Sequence, residues 1–221
     1  MNPSPPVAEA DAHARHPSLD SALKRGLDLC LTLGFAPLWL PLLGLVALLV
    51  LATLGRPLLF RQQRPGLWGR PFTLVKFRTM RPPALETGEG GVTGDIAESE
   101  RVTRLGALLR ASGLDELPGL WHILRGEMSL VGPRPLLLEY LPLYTAEQAR
   151  RHRVRPGFTG LAQLRGRDDL SWPELLALDL RYVDTWSVWL DLKILLLTPL
   201  AFFRRRGSIR DRFRGGGAPD A

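Results

Sequence analysis

At 221 residues the chain can bury one sizeable core, and its length favours one compact unit with attachments over two full domains. A formal charge of +7, from 29 Lys and Arg against 22 Asp and Glu, implies anionic partners: phosphorylated ligands, lipid headgroups or nucleic acid. The single cysteine, Cys30, excludes an intramolecular disulfide and leaves a reducing, cytoplasm-facing body as the expectation.

Residues 1–20, with Pro, Ala and His and little apolar periodicity, read as a mobile leader. Residues 29–54 carry no charge and are mostly Leu, Val and Ala, the composition of a membrane segment. The segment begins too far along the chain for a cleaved signal, so a retained anchor is expected. Pro37 and Pro41 each remove a helical hydrogen bond, which predicts a bend or break near Ala36. Lys24 and Arg25 precede the segment and Arg56, Arg61 and Arg64 follow it, whereas a straight span concentrates its basic residues on one side. Two readings stay open on these residues. One is a helix-break-helix hairpin over 21–55, broken at Ala36 and Pro37, that enters and leaves one leaflet; the other is an ordinary span with a proline kink.

Residues 58–61 and 72–77 read as short strands joined by a turn through Arg64-Pro65-Gly66 and Gly69. The basic residues of this hairpin, Lys76 and Arg78 among them, suit headgroups or a phosphate site. Residues 81–94 mix prolines, glycines and acids in the manner of a loop, with a lid as one use. Helical spacing marks 98–111, and Pro118 opens a second helix that Gly126 stops. A helix is expected over 136–153, a short strand over 161–164 and a helix over 173–185. Residues 188–203 are apolar but interrupted by Asp191, Lys193 and Pro199; with Trp186, Trp189 and the basic run 204–206 they fit an interfacial helix, a buried core helix being the alternative. Residues 207–221 read as a flexible tail.

Walker, Rossmann, paired-cysteine zinc and His-Glu-x-x-His signatures are all missing from the sequence. His122 and His152 stand alone and are assigned no chemistry. The distinctive run is Arg110-Ala-Ser-Gly-Leu-Asp115-Glu116-Leu-Pro118. Two carboxylates at a helix start sit near its free N–H groups, which favours the ionised, nucleophilic form. Neighbours at i and i+1 project differently, so the two acids are expected to have separate jobs. Taken alone, an Asp-Glu at a helix start is usually a cap.

The surrounding order changes that weighting. Lys76-Phe-Arg-Thr-Met80, Arg101-Val-Thr-Arg-Leu-Gly106, Leu114-Asp-Glu-Leu-Pro118, Met128-Ser-Leu-Val-Gly-Pro-Arg-Pro135 and Arg155-Pro-Gly-Phe-Thr-Gly-Leu-Ala-Gln163 follow one another behind the hydrophobic segment. Over about 24–206 the set resembles the bacterial sugar transferase family, the monotopic phosphoglycosyl transferases, in their minimal single-anchor form. The resemblance implies a re-entrant anchor at the cytoplasmic face of the bacterial inner membrane and a Mg²⁺-dependent, two-step reaction. Asp115 would attack the sugar-linked phosphate of a nucleotide diphosphate sugar, giving a covalent aspartyl-phosphosugar and UMP, and polyprenyl phosphate would take the phosphosugar. Glu116 would bind the metal, Arg110 and Arg134 the phosphates, with Lys76 and Arg78 as further candidates and Gln163 for the nucleotide.

Departures accompany the match. Ala36-Pro37 stands where the family usually has Ser-Pro, and Gly113 and Gly119 flank the acidic pair in place of larger residues. The expected fold is a membrane-associated α+β protein: the hairpin anchor over 21–55, then a catalytic domain over 56–206 with a small sheet, catalytic helices and C-terminal interfacial helices. Expected partners are the nucleotide-sugar donor, the lipid acceptor and the bilayer, with a homo-oligomer left open. A catalytically silent membrane adaptor is the rival reading. Nucleic acid is disfavoured, because the basic residues interleave with interfacial aromatics behind an anchor.

Overall fold

The computed structural model describes residues 22–81, 101–166 and 170–204. The expected leader, tail and lid-like loop lie largely or wholly outside the described residues. Contact clustering divides the chain into two compact units interleaved in sequence, one from 1–35, 62–74 and 119–221 and the other from 36–61 and 75–118, so far as each is described.

Helix α1 (Ala22–Gly34) ends one residue before α2 (Ala36–Leu54), with Phe35 between them. The break therefore falls where Ala36-Pro37 predicts it: Pro37 lies in the first turn of α2, where its missing N–H has no intrahelical partner to lose. Helix α1 is inverted relative to a water-soluble helix. Lys24, Asp28 and Thr32, four residues apart, form its buried face, while Leu23 and Leu33 are exposed. The Lys24 ammonium lies 2.7 Å from Asp191 Oδ2, and Arg25 donates to the carbonyls of Ile123 and Leu124. These two cations, read from the sequence as basic flanks of the apolar segment, are built into the first unit, because buried carboxylate and carbonyl acceptors compensate them. Helix α2 exposes Leu38, Leu45 and Leu48, and is long and apolar enough to cross a membrane by length and composition.

Strands β1 (Leu59–Pro65) and β2 (Pro71–Phe77) pair as a hairpin, through which the division between units runs. Its turn is closed by Gly66 N–H to Arg70 O at 2.8 Å and contains a 3-10 turn, Leu67–Gly69. In the second unit, Met80 and Val102 then form an isolated antiparallel bridge. Of the helix expected over 98–111, residues 98–100 lie outside the described residues and Arg101 is helical, but Val102 is extended and helix α3 (Arg104–Ser112) begins behind Thr103, the N-cap, whose hydroxyl accepts from Gly106 N–H. A 3-10 helix, Leu114–Gly119, follows and leads into α4 (Leu120–Arg125), which stops at Gly126 as expected.

In the first unit, β3 (Ser129–Val131) pairs in parallel with β4 (Gly157–Thr159), Ser129 opposite Gly157 and Val131 opposite Thr159. A parallel pair needs a long crossover, supplied here by residues 132–156. The single helix expected over 136–153 is three short pieces: a 3-10 stretch Leu138–Leu143, α5 (Ala146–Ala149) and a 3-10 turn Arg150–Arg153. Pro142 interrupts the first, and a Thr145–Gln148 capping box starts a new helix. The strand expected over 161–164 is helix α6 (Leu161–Leu164); a four-residue run does not reveal its period, and the strand register falls on Gly157–Thr159 instead. Helices α7 (Trp172–Thr185) and α8 (Val188–Arg204) complete the unit, packing Tyr182, Val183 and Ile194 with Val131 and Val154.

Candidate active site

The second unit contains five of the predicted catalytic and phosphate-binding residues, Lys76, Arg78, Arg110, Asp115 and Glu116. The end of strand β2 alternates: Phe77 and, just beyond the strand, Thr79 are buried, while Lys76 stays partly open. Helix α3 approaches so closely that the Thr79 backbone lies against Gly106, and Thr79 O accepts from Thr103 N–H at 3.3 Å. One turn further on, Arg110 Nε donates to Thr79 Oγ1 at 2.8 Å. Gly113, at φ 72°, takes the left-handed conformation that ends α3 and turns the chain into the 3-10 helix carrying Asp115 and Glu116. Glycine at 113, where the family usually has a larger residue, is therefore a backbone requirement of this chain.

Asp115 is 8% exposed, and the adjacent Glu116 receives the Lys76 ammonium at 2.6 Å on Oε1. Both side chains of that ion pair are about one-fifth exposed, at 22% and 20%. Asp115 is thus a buried carboxylate, and Glu116 is a partly exposed one in contact with a cation. Arg78 has a different attachment, its Nη2 donating to the carbonyls of Leu54 and Gly55, so it closes the C-terminal end of α2. Thr79, which holds Arg110, was missed from the sequence, although the alternation of β2 could have pointed to it.

Arg134 and Gln163 belong to the first unit. Arg134 is half-buried in the Gly132-Pro-Arg-Pro135 turn after β3. Gln163 lies on α6, buried, and neither its amide nitrogen nor its amide oxygen has a hydrogen-bond partner among the described residues. His122 faces Glu127 at 2.6 Å and Phe72 edge-on, a structural setting. Burial, with the neighbouring Arg151 guanidinium adding to it, pushes the His152 imidazole down to about 3, so it is neutral at cytoplasmic pH.

Among the described residues no group of three or more His, Cys, Asp or Glu could hold a metal ion. That donor set does not suit a cage made wholly of protein ligands. A Mg²⁺ held by one or two carboxylates and completed by substrate phosphates and water needs no such group.

A family model described as bacterial sugar transferase matches residues 19–205. An uncharacterized sugar transferase, EpsL, of Bacillus subtilis is 55% identical over 146 residues, 66% of this chain and 69% of that protein. The UDP-glucose:undecaprenyl-phosphate glucose-1-phosphate transferase of Caulobacter vibrioides is 46% identical over 187 residues, covering 79% of this chain and 67% of that one. The exopolysaccharide production protein ExoY of Rhizobium meliloti is 39% identical over 199 residues, 84% and 87% of the two chains. The ordered motifs, the mixed helical fold with its apolar helix and these relatives together establish that the chain is an enzyme belonging to the bacterial sugar transferase family.

Proposed function

We propose that the enzyme transfers a sugar phosphate from a UDP-sugar to undecaprenyl phosphate through a covalent intermediate on Asp115, as a first membrane step of exopolysaccharide or glycoconjugate synthesis. The observation that carries the reading furthest is the acidic pair on one 3-10 turn, with Asp115 buried and Glu116 beside the Lys76 ammonium at 2.6 Å. The printed activity of the Caulobacter relative supports the choice of donor and acceptor.

In the first step an Asp115 carboxylate oxygen attacks the sugar-linked phosphorus, and the bond from that phosphorus to the bridging oxygen breaks. UMP leaves with the bridging oxygen, and the phosphosugar remains on Asp115 as an acyl phosphate. In the second step a phosphate oxygen of the lipid attacks the same phosphorus and the carboxylate is released unchanged. The balance requires no net proton transfer. Lys76 and Arg110 supply positive charge and N–H donors for the phosphates, with Thr79 fixing the Arg110 guanidinium. Arg134 and Gln163 are assigned to phosphate and nucleotide respectively. Glu116 would hold Mg²⁺, which when bound neutralises charge on the reacting phosphates.

The same reading places α1 and α2 in one leaflet at the cytoplasmic face, with α8 along the interface. The inverted α1, the break at Phe35 and the exposed Leu38, Leu45, Leu48, Trp189, Leu196 and Leu200 support it. In a Cys30→Ser background, single cysteines placed at positions 22 and 56 are expected to react with an impermeant maleimide from the same side of the membrane; labelling from opposite sides means an ordinary span. For the chemistry, purified protein with Mg²⁺, undecaprenyl phosphate and a panel of UDP-sugars should release UMP. Failure of every donor to yield UMP sinks the proposal.

A further inference from the structure

The turn that carries Arg134 cannot hold itself together. Pro133 and Pro135 have no N–H, so two of its four residues can only accept hydrogen bonds. Three consecutive carbonyls are instead taken by donors from three distant parts of the first unit. Gly157 N–H donates to Pro133 O at 2.9 Å, Arg151 Nη2 to Arg134 O at 2.8 Å and Arg64 Nη1 to Pro135 O at 3.3 Å. The middle donor is the most elaborate. Arg151 is 2% exposed, its Nε and Nη2 lie 3.0 and 2.5 Å from Asp179 Oδ2, and its Nη1 reaches Tyr144 Oη at 3.3 Å.

A buried ion pair is weak support for stability, because removing both charges from water offsets most of their attraction. What this pair does beyond stability is fix a guanidinium whose Nη2, besides bonding Asp179, donates to one backbone atom, the carbonyl of Arg134. A planar guanidinium recognises phosphate through paired, directional bonds, and an ångström of misplacement removes much of that benefit. We infer that Arg151, clamped by Asp179, is a positioning residue that holds the Arg134 backbone so that its side chain meets the diphosphate of the donor. This rests on the reading of Arg134 as a phosphate contact, and Arg64 assists in the same way from the other end of the turn.

A double-mutant cycle on the full chain in detergent tests the inference, with UDP as the probe and its affinity read by calorimetry in Mg²⁺. Arg134→Ala is expected to weaken UDP binding about tenfold, the loss of one charge-assisted contact. The pair Arg151→Met with Asp179→Leu removes both charges together, so no lone buried charge is left to unfold the protein. It should weaken UDP about tenfold in the wild-type background and by less than about twofold once Arg134 is alanine. Equal losses in the two backgrounds overturn the inference, as does unchanged binding by the charge-free pair. Should that pair not fold, Arg64→Gln replaces it, with a loss of about threefold expected only when Arg134 is present; an equal loss without Arg134 again overturns the inference. Unchanged UDP affinity in Arg134→Ala, or no UDP binding by the wild type, removes the phosphate reading and the positioning role with it.

Discussion

Gly106→Ala is a one-methyl change that should disable the site. A Cβ at position 106 would stand 1.9 Å from the Thr79 carbonyl oxygen and 2.8 Å from its carbon, both backbone atoms. Reaching an ordinary contact of 3.4 Å requires a relative shift of about 1.5 Å between α3 and the end of β2 (3.4 minus 1.9). The same two segments are joined by Thr103 N–H to Thr79 O at 3.3 Å and by Arg110 Nε to Thr79 Oγ1 at 2.8 Å, and neither bond survives such a shift. Overpacking of this kind costs about 1–3 kcal/mol, less than the about 5–15 kcal/mol that holds a typical domain folded, so the variant should fold. Displacing Arg110 by about an ångström should nonetheless lower kcat/KM about a hundredfold. Initial rates of UMP release, measured beside thermal unfolding in the same detergent, separate the two effects. A folded Gly106→Ala enzyme within about threefold of wild-type kcat/KM would refute the reasoning, because it would mean that the Thr79–Arg110 geometry does not matter.

Lys76→Met removes a cation that shares the Glu116 carboxylate with any metal, so kcat should fall while the Mg²⁺ concentration giving half-maximal rate also falls; an unchanged Mg²⁺ requirement counts against Glu116 as the ligand. Asp191, 1% exposed, accepts from Lys24, from Tyr182 Oη at 2.8 Å and from Trp186 Nε1 at 3.1 Å. Asp191→Ala removes the nearer of the two carboxylates beside the buried Lys24 ammonium, leaving Asp28 Oδ1 at 3.9 Å, and should cost about 3–5 kcal/mol in unfolding experiments, much of it recovered by Lys24→Met with Asp191→Leu; a loss below about 1 kcal/mol contradicts the burial of that charge. His152, held near 3 when folded against 6.5 unfolded, binds fewer protons in the native state, so stability is full above about pH 6.5 and declines as the pH falls towards 3. By pH 5 the loss should be about 2 kcal/mol, and His152→Phe should remove that slope; the same slope in the variant would show that His152 is not its source.

The parts of the molecule written in local chemistry were legible in the sequence. Pro37 marked the helix break, Gly126 the stop of α4, and Asp115 with Glu116 stood out once the ordered motifs surrounded them. What depended on tertiary partners was not. Leu161–Leu164 could be either period and became a helix because the parallel register uses Gly157–Thr159. Lys24 looked like a membrane flank because its counter-charge, Asp191, lies 167 residues away; the Lys24, Asp28, Thr32 spacing of four was the available hint of an inward polar face. Arg151 and Asp179 gave no local signal, as one is an ordinary charge on a 3-10 turn and the other on helix α7 until the fold brings them together.

The central claim is that Asp115 becomes covalently bonded to the phosphosugar. Purified enzyme incubated with Mg²⁺ and an active UDP-sugar, but no lipid acceptor, should gain the mass of one sugar phosphate, located on Asp115 by fragmentation, with one UMP released for each adduct formed. Adding undecaprenyl phosphate should discharge the adduct, and Asp115→Asn should show neither adduct nor turnover. Sustained UMP release by Asp115→Asn, or an adduct on a different residue, would contradict the account.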